Sequence, residues 1–342
     1  MPTIPTLKIG IIGGGAITQN GHLPAYVKDR RTEIHVATRS AERRSEIEAL
    51  FGKRIAGFYT DWRKMLRDQR FDAVSICTTN YLHAKNCIAA AEQGAHILCE
   101  KPIALTAADA RRMVETCKRK RRILMVNFTT RYLSGPRRVK KLMNQGRVGD
   151  IQSIRIRLVH DCPYADWAKG DWFYDPKHAG GGALMDMGIH AIDTCHYLMG
   201  PIRSVSAPLG NLSKDITVED SSVMTAKLDN DRYAVLEAGW TGGAGFRGIE
   251  VCGSKGSIVM DYRKGLTVIH GRSKPDGSVV IKEQDIKCDI MGGGWDLVVT
   301  EFLTHVRERT RPECNGVVGQ RALAVALAAR RSHKPGKWVS ID

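Results

Sequence analysis

Asp186 and His190 stand four residues apart in the run Gly180-Gly181-Gly182-Ala183-Leu184-Met185-Asp186-Met187-Gly188-Ile189-His190-Ala191-Ile192-Asp193. Leu184, Met187, Ile189, Ile192 and Leu198 recur at helical spacing, so the run predicts a helix opening after three glycines. That spacing stacks Asp186 and His190 on one face, one turn apart. A carboxylate orients an imidazole and stabilises its charged form, which makes His190 a candidate general base near neutral pH. Asp193 lies two turns from Asp186 on nearly the same face. It reads either as a contact to a substrate hydroxyl or as a structural hydrogen bond. His190, Asp193, Cys195 and His196 do not read as a metal site. His196 is nearly two turns from His190, and no fourth ligand stands at metal-site spacing, so no metal is expected.

A second constellation opens the chain. Leu7 to Ile12 reads as a buried strand, followed at once by Gly13-Gly14-Gly15-Ala16-Ile17-Thr18 and a helical stretch to about Val27. A second strand runs from Glu33 to Ala37. Strand, glycine loop, helix and strand in this order are the start of a dinucleotide fold. Gly13 permits the tight turn, and Gly15 lets the backbone approach a pyrophosphate. Ala16 and Ile17 open the helix whose N–H groups would hold it. Thr18 replaces the third glycine of the pattern, so the helix is expected to pack less closely on the strand. The second strand ends in Thr38-Arg39-Ser40, with no acid to bind ribose hydroxyls. A hydroxyl and a guanidinium suit a 2′-phosphate, which favours NADP(H) over NAD(H); the other reading is that Arg39 stacks on adenine.

The elements that position these groups continue as βα units. Ala73–Cys77 is a strand, Thr78-Thr79-Asn80 a loop, and a helix follows from about Tyr81 to Gln93, capped by Gly94. His96–Cys99 is the next strand and ends in Glu100-Lys101-Pro102. Ligands of such sheets bind beyond the carboxyl ends of the strands, where Thr78, Thr79, Asn80, Glu100 and Lys101 all fall. Proline constrains the backbone directly after the lysine. After residue 150 come seven β-like runs, at 153–160, 203–208, 221–228, 233–240, 248–253, 257–261 and 266–270, many bounded by Gly, Asn-Asp or Ser-Lys turns. Two late helices are expected, at about 295–309 and 318–331.

The totals bound the class. A chain of 342 residues suggests about two domains. No apolar run approaches the ~20 residues of a membrane span, and the first residues do not read as a secretion signal. Nine dispersed cysteines without a C-x-x-C pair fit a reducing cytoplasm. The formal charge of +16 raises nucleic-acid binding. The densest cluster, Lys118-Arg119-Lys120-Arg121-Arg122, closes a helix expected over 107–117, where cations are favoured. No aromatics interleave with it as a stacking platform, so neither nucleic acid nor a membrane is expected as a partner. The charge suits phosphorylated ligands or solubility.

Together these residues resemble the glucose–fructose oxidoreductase, inositol dehydrogenase and rhizopine-catabolism (Gfo/Idh/MocA) family over essentially the whole chain. The resemblance rests on Gly10-Ile11-Ile12-Gly13-Gly14-Gly15, Asn80-Tyr81-Leu82-His83, Glu100-Lys101-Pro102, Gly146-Arg147-Val148-Gly149-Asp150-Ile151 and the Gly180–Asp193 run. It implies an α/β protein with an N-terminal Rossmann dinucleotide-binding domain over 1–128. A C-terminal α/β domain over 129–342 would carry a large, mostly antiparallel sheet that commonly forms a homodimer or homotetramer interface. The late helices would pack back on the body. It implies a nicotinamide-dependent dehydrogenase or reductase acting on a secondary alcohol of a sugar, sugar derivative or cyclitol. Lys101, Asp186 and His190 would be the catalytic set. His83, Glu100 and Lys101 would join the cofactor site. Arg131 and Tyr132 resemble the family's Arg-aromatic pair near cofactor or substrate, preceded by Thr130 where the family often has another basic or polar group. His160 and Asp161, with Tyr164 and Trp167, sit on a loop whose aromatic and hydrogen-bonding groups suit a sugar or ordinary loop packing alike. Trp172 reads as a packing residue or a cofactor contact. Two other functions stay open: a non-catalytic dinucleotide sensor, and a glycoside hydrolase that oxidises its substrate transiently.

Overall fold

Strand β1 (Leu7–Ile12) is apolar and almost wholly buried, the pattern of a parallel strand covered on both faces. The same holds for β2 (Thr32–Ala37), β4 (Ala73–Ile76), β5 (His96–Glu100) and β6 (Leu124–Asn127), while the edge strand β3 (Ile55–Tyr59) is only half-buried. All neighbours pair in parallel, in the order β3-β2-β1-β4-β5-β6. This is the doubly wound order of a dinucleotide-binding sheet. The connections carry α1 (Leu23–Lys28), α2 (Ala41–Phe51), α3 (Trp62–Asp68), α4 (His83–Glu92) and α5 (Ala107–Arg119). Side chains start several of them: Ser40, Asp61 and Thr106 accept from the amides of Arg43, Arg63 and Asp109.

The computed structural model describes residues 5–161, 171–242, 244–333 and 337–341. They divide into two units. The first holds the described residues up to Phe128, with Lys177–Gly180 and Trp295–Leu323; the second holds those of Thr129–Pro176, Gly181–Gly294 and Ala324–Asp342.

The second unit starts with α6 (Ser134–Asn144) and β7 (Ile151–Val159), and the one-turn helix α7 (Pro176–Ala179) crosses the division between the units. Helix α8 (Ile189–Met199) continues a wider π-helical turn over Leu184–Gly188. Then come β8 (Ile202–Ser206), β9 (Leu209–Gly210), β10 (Ser221–Leu228), β11 (Tyr233–Gly239), β12 (Gly248–Gly253), β13 (Gly256–Asp261), β14 (Gly265–Ser273) and β15 (Val279–Ile286). Helices α9 (Trp295–Glu308) and α10 (Gly316–His333) follow, and β16 (Val339–Ser340) closes the chain. The sheet runs β15-β14-β13-β12-β7-β11-β10-β8-β16, with β9 beside β10. Among the described residues of this sheet only β7 and β11 pair in parallel; the other pairs are antiparallel. Along β10 every second residue is buried, so one face is covered. Helix α8 packs on β7 and β11, and Ile189, Ile192 and Cys195 are among its fully buried residues.

The expected strands stand within a few residues of their observed bounds. Strand β15 was not expected, because its residues are nearly all exposed and carry no burial alternation. Its pairing with β14 alone makes it a strand. No helix among the described residues is long and apolar enough to cross a membrane.

Candidate functional site

In the first unit the glycine loop follows β1 directly. Gly13 has φ +109°, and a Cβ there would lie 2.3 Å from the Cys77 carbonyl oxygen, so only glycine fits. Gly15 is different: a Cβ there would meet nothing within 4 Å. Gly15, Ala16 and Ile17 form a half-exposed stretch at the start of the helix. Thr18 does not loosen the helix as expected. It is fully buried, and its hydroxyl donates to the Gly13 carbonyl at 2.8 Å, locking the loop. Close approach passes to Gly21, where a Cβ would stand 2.7 Å from the Trp295 ring.

Beyond β2, Thr38 is buried beneath Gly14, and Ser40 caps α2. Arg39 is exposed and has no ion-pair or hydrogen-bond partner among the described residues. In the loop after β4, Thr78 donates to Asn86 Oδ1 at 3.2 Å and Asn80 Nδ2 to the Ala179 carbonyl at 2.8 Å. Thr79 lies between them, half-buried.

Two expected cofactor ligands play other parts. His83 is fully buried, with Nδ1 2.7 Å from the Pro102 carbonyl and Nε2 3.1 Å from the Thr78 carbonyl. Burial lowers its pKa, outweighing the two carbonyls. It ties the Thr78 loop to the segment after β5 instead of facing a ligand. Glu100 is also buried. Its Oε1 lies 2.8 Å from His22 Nε2 and accepts from Asn127 Nδ2 at 2.5 Å; its Oε2 accepts from the Lys101 amide at 3.3 Å. His22 Nδ1 is 3.2 Å from Ser75 Oγ, which bonds Tyr26 at 2.7 Å. Burial disfavours charge on both partners, and on each the other groups of the network outweigh it. On His22 the Cys77 sulfur and the Glu100 carboxylate outweigh burial and raise the pKa to about 10. On Glu100 the bond and charge of His22, with Lys101 and Asn127, hold the pKa below the usual carboxylate range. Lys101 follows this pair directly, half-exposed, and its peptide bond to Pro102 is cis.

In the second unit the Gly181-Gly182 segment wraps Glu219. The Glu219 carbonyl accepts from the Ala183 amide at 2.8 Å, and its carboxylate accepts from the amides of Gly182 at 2.9 Å and Leu184 at 3.3 Å. A Cβ on residue 182 would sit 1.9 Å from that carbonyl oxygen, which explains a glycine there. A carboxylate thus satisfies the free amides at a helix start, where negative charge is favoured. The first turn is π-helical, a widening common at functional sites, and it contains Asp186. The Trp240 indole, fully buried, donates to Asp186 Oδ2 at 3.0 Å. His190 follows in the first turn of α8, 8% exposed.

Asp193 and Arg131 take each other. Asp193 is fully buried, and both its oxygens accept from Arg131, Oδ2 from Nε at 2.8 Å and Oδ1 from Nη2 at 2.5 Å. The guanidinium also stacks 5.1 Å from the Tyr197 ring. These contacts favour the structural alternative for Asp193 and give Arg131 a buried carboxylate partner. Tyr132 is buried with them. His160 follows β7, its amide donating to the Gly239 carbonyl, and the exposed Asp161 pairs with Lys214 at 3.3 Å. Trp172 stacks on Phe173 at 3.9 Å, while Tyr164 and Trp167 lie outside the described residues.

The sequence reading missed His22, Asn127, Glu219 and Trp240. A lone histidine in the apolar segment after the glycine loop was the one available signal. The other three act across 27 to 54 residues of chain.

Residues 7–128 match the family described as oxidoreductase family, NAD-binding Rossmann fold, and residues 137–259 match the GFO/IDH/MocA C-terminal domain. The chain is 30% identical over 291 residues to the levoglucosan dehydrogenase of Pseudarthrobacter phenanthrenivorans, covering 75% of this chain and 74% of that one. It is 26% identical over 344 residues to the myo-inositol 2-dehydrogenase of Thermotoga maritima, covering 98% and 99%. Among solved structures, levoglucosan dehydrogenase in complex with NADH and levoglucosan superposes with a TM-score of 0.80 at 26% identity, over 98% of this chain and 99% of that one.

Two glycine substitutions separate folding from binding. Gly13→Ala is expected to destabilise by more than about 2 kcal/mol, through the clash and the positive φ. Gly15→Ala should change stability by about 0.5 kcal/mol or less yet weaken dinucleotide binding. Thermal unfolding and calorimetric titration with NAD(H) check both; a Gly15→Ala protein that binds as well as wild type sinks the loop assignment. The buried pair predicts a pH signature. His22 has a folded pKa above its ordinary 6.5, so its contribution is complete below that value and falls as pH rises through about 10. Glu100 is depressed below 4.5, so its contribution is present above that pH and is lost as pH falls through the lower folded value. His22→Gln should cost about 3–5 kcal/mol near pH 6, where it leaves a buried carboxylate unpaired, and less as pH approaches 10. A gap in Tm between the two proteins that is flat with pH would contradict a charged His22.

Proposed function

The chain belongs to the Gfo/Idh/MocA family of oxidoreductases, and on that premise we propose that it interconverts a secondary alcohol and a ketone on a sugar, sugar derivative or cyclitol. The observation that carries this reading is the Asp186–His190 helix start, with Trp240 holding the carboxylate and Glu219 holding the turn. The alcohol loses a carbon-bound hydride and a hydroxyl proton. His190 takes that proton on an imidazole nitrogen in oxidation and returns it in reduction. Asp186, fixed by the indole, orients the ring and stabilises its protonated form. Lys101 donates a hydrogen bond to the reacting oxygen and stabilises the negative charge that develops there. Arg131 and Asp193 act as positioning residues, pinning the segment after β6 to α8.

Bound nicotinamide dinucleotide supplies the hydride acceptor and donor at its C4 carbon. Gly13, Gly15, Ala16 and Ile17, with Thr78, Thr79 and Asn80, would hold it, which suits the open backbone at Gly15. The exposed, unpartnered Arg39 and the lack of an acid beside it support NADP(H) over NAD(H). Dispersed cysteines support a cytoplasmic setting. The exposed apolar residues Val279, Val280 and Ile281 on β15 support a homodimer or homotetramer built through the sheet. Light scattering on the purified protein tests this, and a monomer at micromolar concentration would reject it.

The decisive experiment follows nicotinamide absorbance while the protein is offered NADP+ or NAD+ with a panel of sugars, anhydrosugars and cyclitols. Turnover of at least one is expected. His190→Ala should lower kcat about 10²–10⁴-fold, and Lys101→Ala about 10²–10³-fold, with folding intact. Arg39→Ala should weaken NADP(H) binding and leave NAD(H) binding nearly unchanged. A protein that binds dinucleotide but turns over none of the panel, or one indifferent to His190→Ala, overturns the catalytic reading.

A further inference from the structure

The carboxyl ends of the first sheet are taken up by the dinucleotide loop, but the amino ends are not closed. There, beside the first residues of β1, β5 and β6, lies a cleft of about 1080 Å³ whose charged lining side chains are basic but for Asp72. Lys118, Arg121 and Arg122 reach it from the end of α5, and Arg309 and Arg311 from the segment after α9. None of these five has a carboxylate partner among the described residues, whereas the neighbouring Arg119 and Lys120 both pair with Glu92. The single acid in the lining, Asp72, spends one oxygen on the Lys8 amide.

The donors converge without acceptors. His96 Nδ1 accepts from the Ile123 amide at 3.0 Å, so a neutral ring carries its proton on Nε2. Arg122 Nη1, which can only donate, stands 3.5 Å from that Nε2. Two N–H groups thus approach each other at 3.5 Å, an arrangement that an anionic oxygen seated beside both would satisfy. Arg307 donates from Nη1 to Asp29, and its Nε and Nη2 are buried with no partner. Burial first, then Arg122 and Arg309, lower the His96 pKa to about 4 against the pull of Asp72, which marks a positive field in the cleft. The backbone adds to this. Arg121 and Arg309, each just past its helix, hold φ +55°, where glycine is usual. The helix dipole accounts for cations in the last turn of α5, but not for Arg122 beyond the helix or Arg311 on another segment.

We propose that this cleft is a second anion-binding site, separate from the dinucleotide loop, which takes a small polyphosphorylated ligand of the diphosphate type. Its concave shape and spread of five cations suit several phosphate oxygens at once. A nucleic acid is disfavoured, because Phe71, the one Phe, Tyr or Trp side chain in the lining, is buried and offers no stacking platform.

The test titrates inorganic pyrophosphate into the full chain by calorimetry while NMR follows the His96 ring. Binding is expected to be weakened about tenfold or more in the Arg122→Ala/Arg309→Ala protein and to change less than about twofold in Arg39→Ala, at the dinucleotide loop. Both removed arginines are exposed, so circular dichroism should be unchanged. The His96 pKa should rise when pyrophosphate is present, because an anion stabilises the charged ring. Three outcomes would overturn the proposal: no binding at millimolar pyrophosphate, binding abolished by Arg39→Ala but not by the double substitution, or equal binding of sulfate at matched ionic strength.

Discussion

A carboxylate removed from water must find its compensation inside the protein, and Glu100 is where that requirement organises the first unit. Its partners come from three elements: His22 from the segment after the glycine loop, Asn127 from the end of β6, and the Lys101 amide beside it. Ser75 and Tyr26 extend the network beneath β4. The glycine loop, the strand end that carries Lys101 and the last strand of the sheet are therefore tied to one charge. A lysine proposed to meet a reacting oxygen gains from such an anchor, since its own side chain has many rotamers and its backbone must supply the precision.

The second unit solves a similar problem with a different set of groups. Glu219 supplies the acceptors for the amides at the start of the helix, and the tight fit against its backbone leaves room only for glycine at position 182. Trp240 presents a single donor to Asp186 from a buried ring that has little freedom to move. Arg131 and Asp193, bidentate and buried, pin the other end of the same stretch. The histidine is thus placed on a helix whose start, flank and following turn are each held by a named contact.

The excess of positive charge has an uneven distribution that composition conceals. Some basic residues in the densest run are neutralised by Glu92, and others are turned toward one cleft with residues that lie about 190 positions later in the chain. Helix-end electrostatics explains the first group; tertiary convergence creates the second.

The sequence by itself determined the fold class and nominated the candidate catalytic residues. Strand and helix periodicity, glycine spacing and the Asp186–His190 offset are local quantities, written within one or two turns of chain. They reached the doubly wound sheet, most strands of the large sheet and the candidate catalytic residues. Tertiary structure alone decided which polar residues are buried against one another. His83, Glu100, Arg131 and Asp193 look like ligands in one dimension, yet each is buried against a partner 5 to 78 residues away. His22, Glu219 and Trp240 carried almost no local signal, because their parts depend on who lies opposite. Strand β15 was invisible for the same reason, since it exists by pairing with β14 and not by burial. Local propensity depends on neighbours in sequence, whereas the pairing of a buried charge depends on neighbours in space, and only the folded chain supplies those.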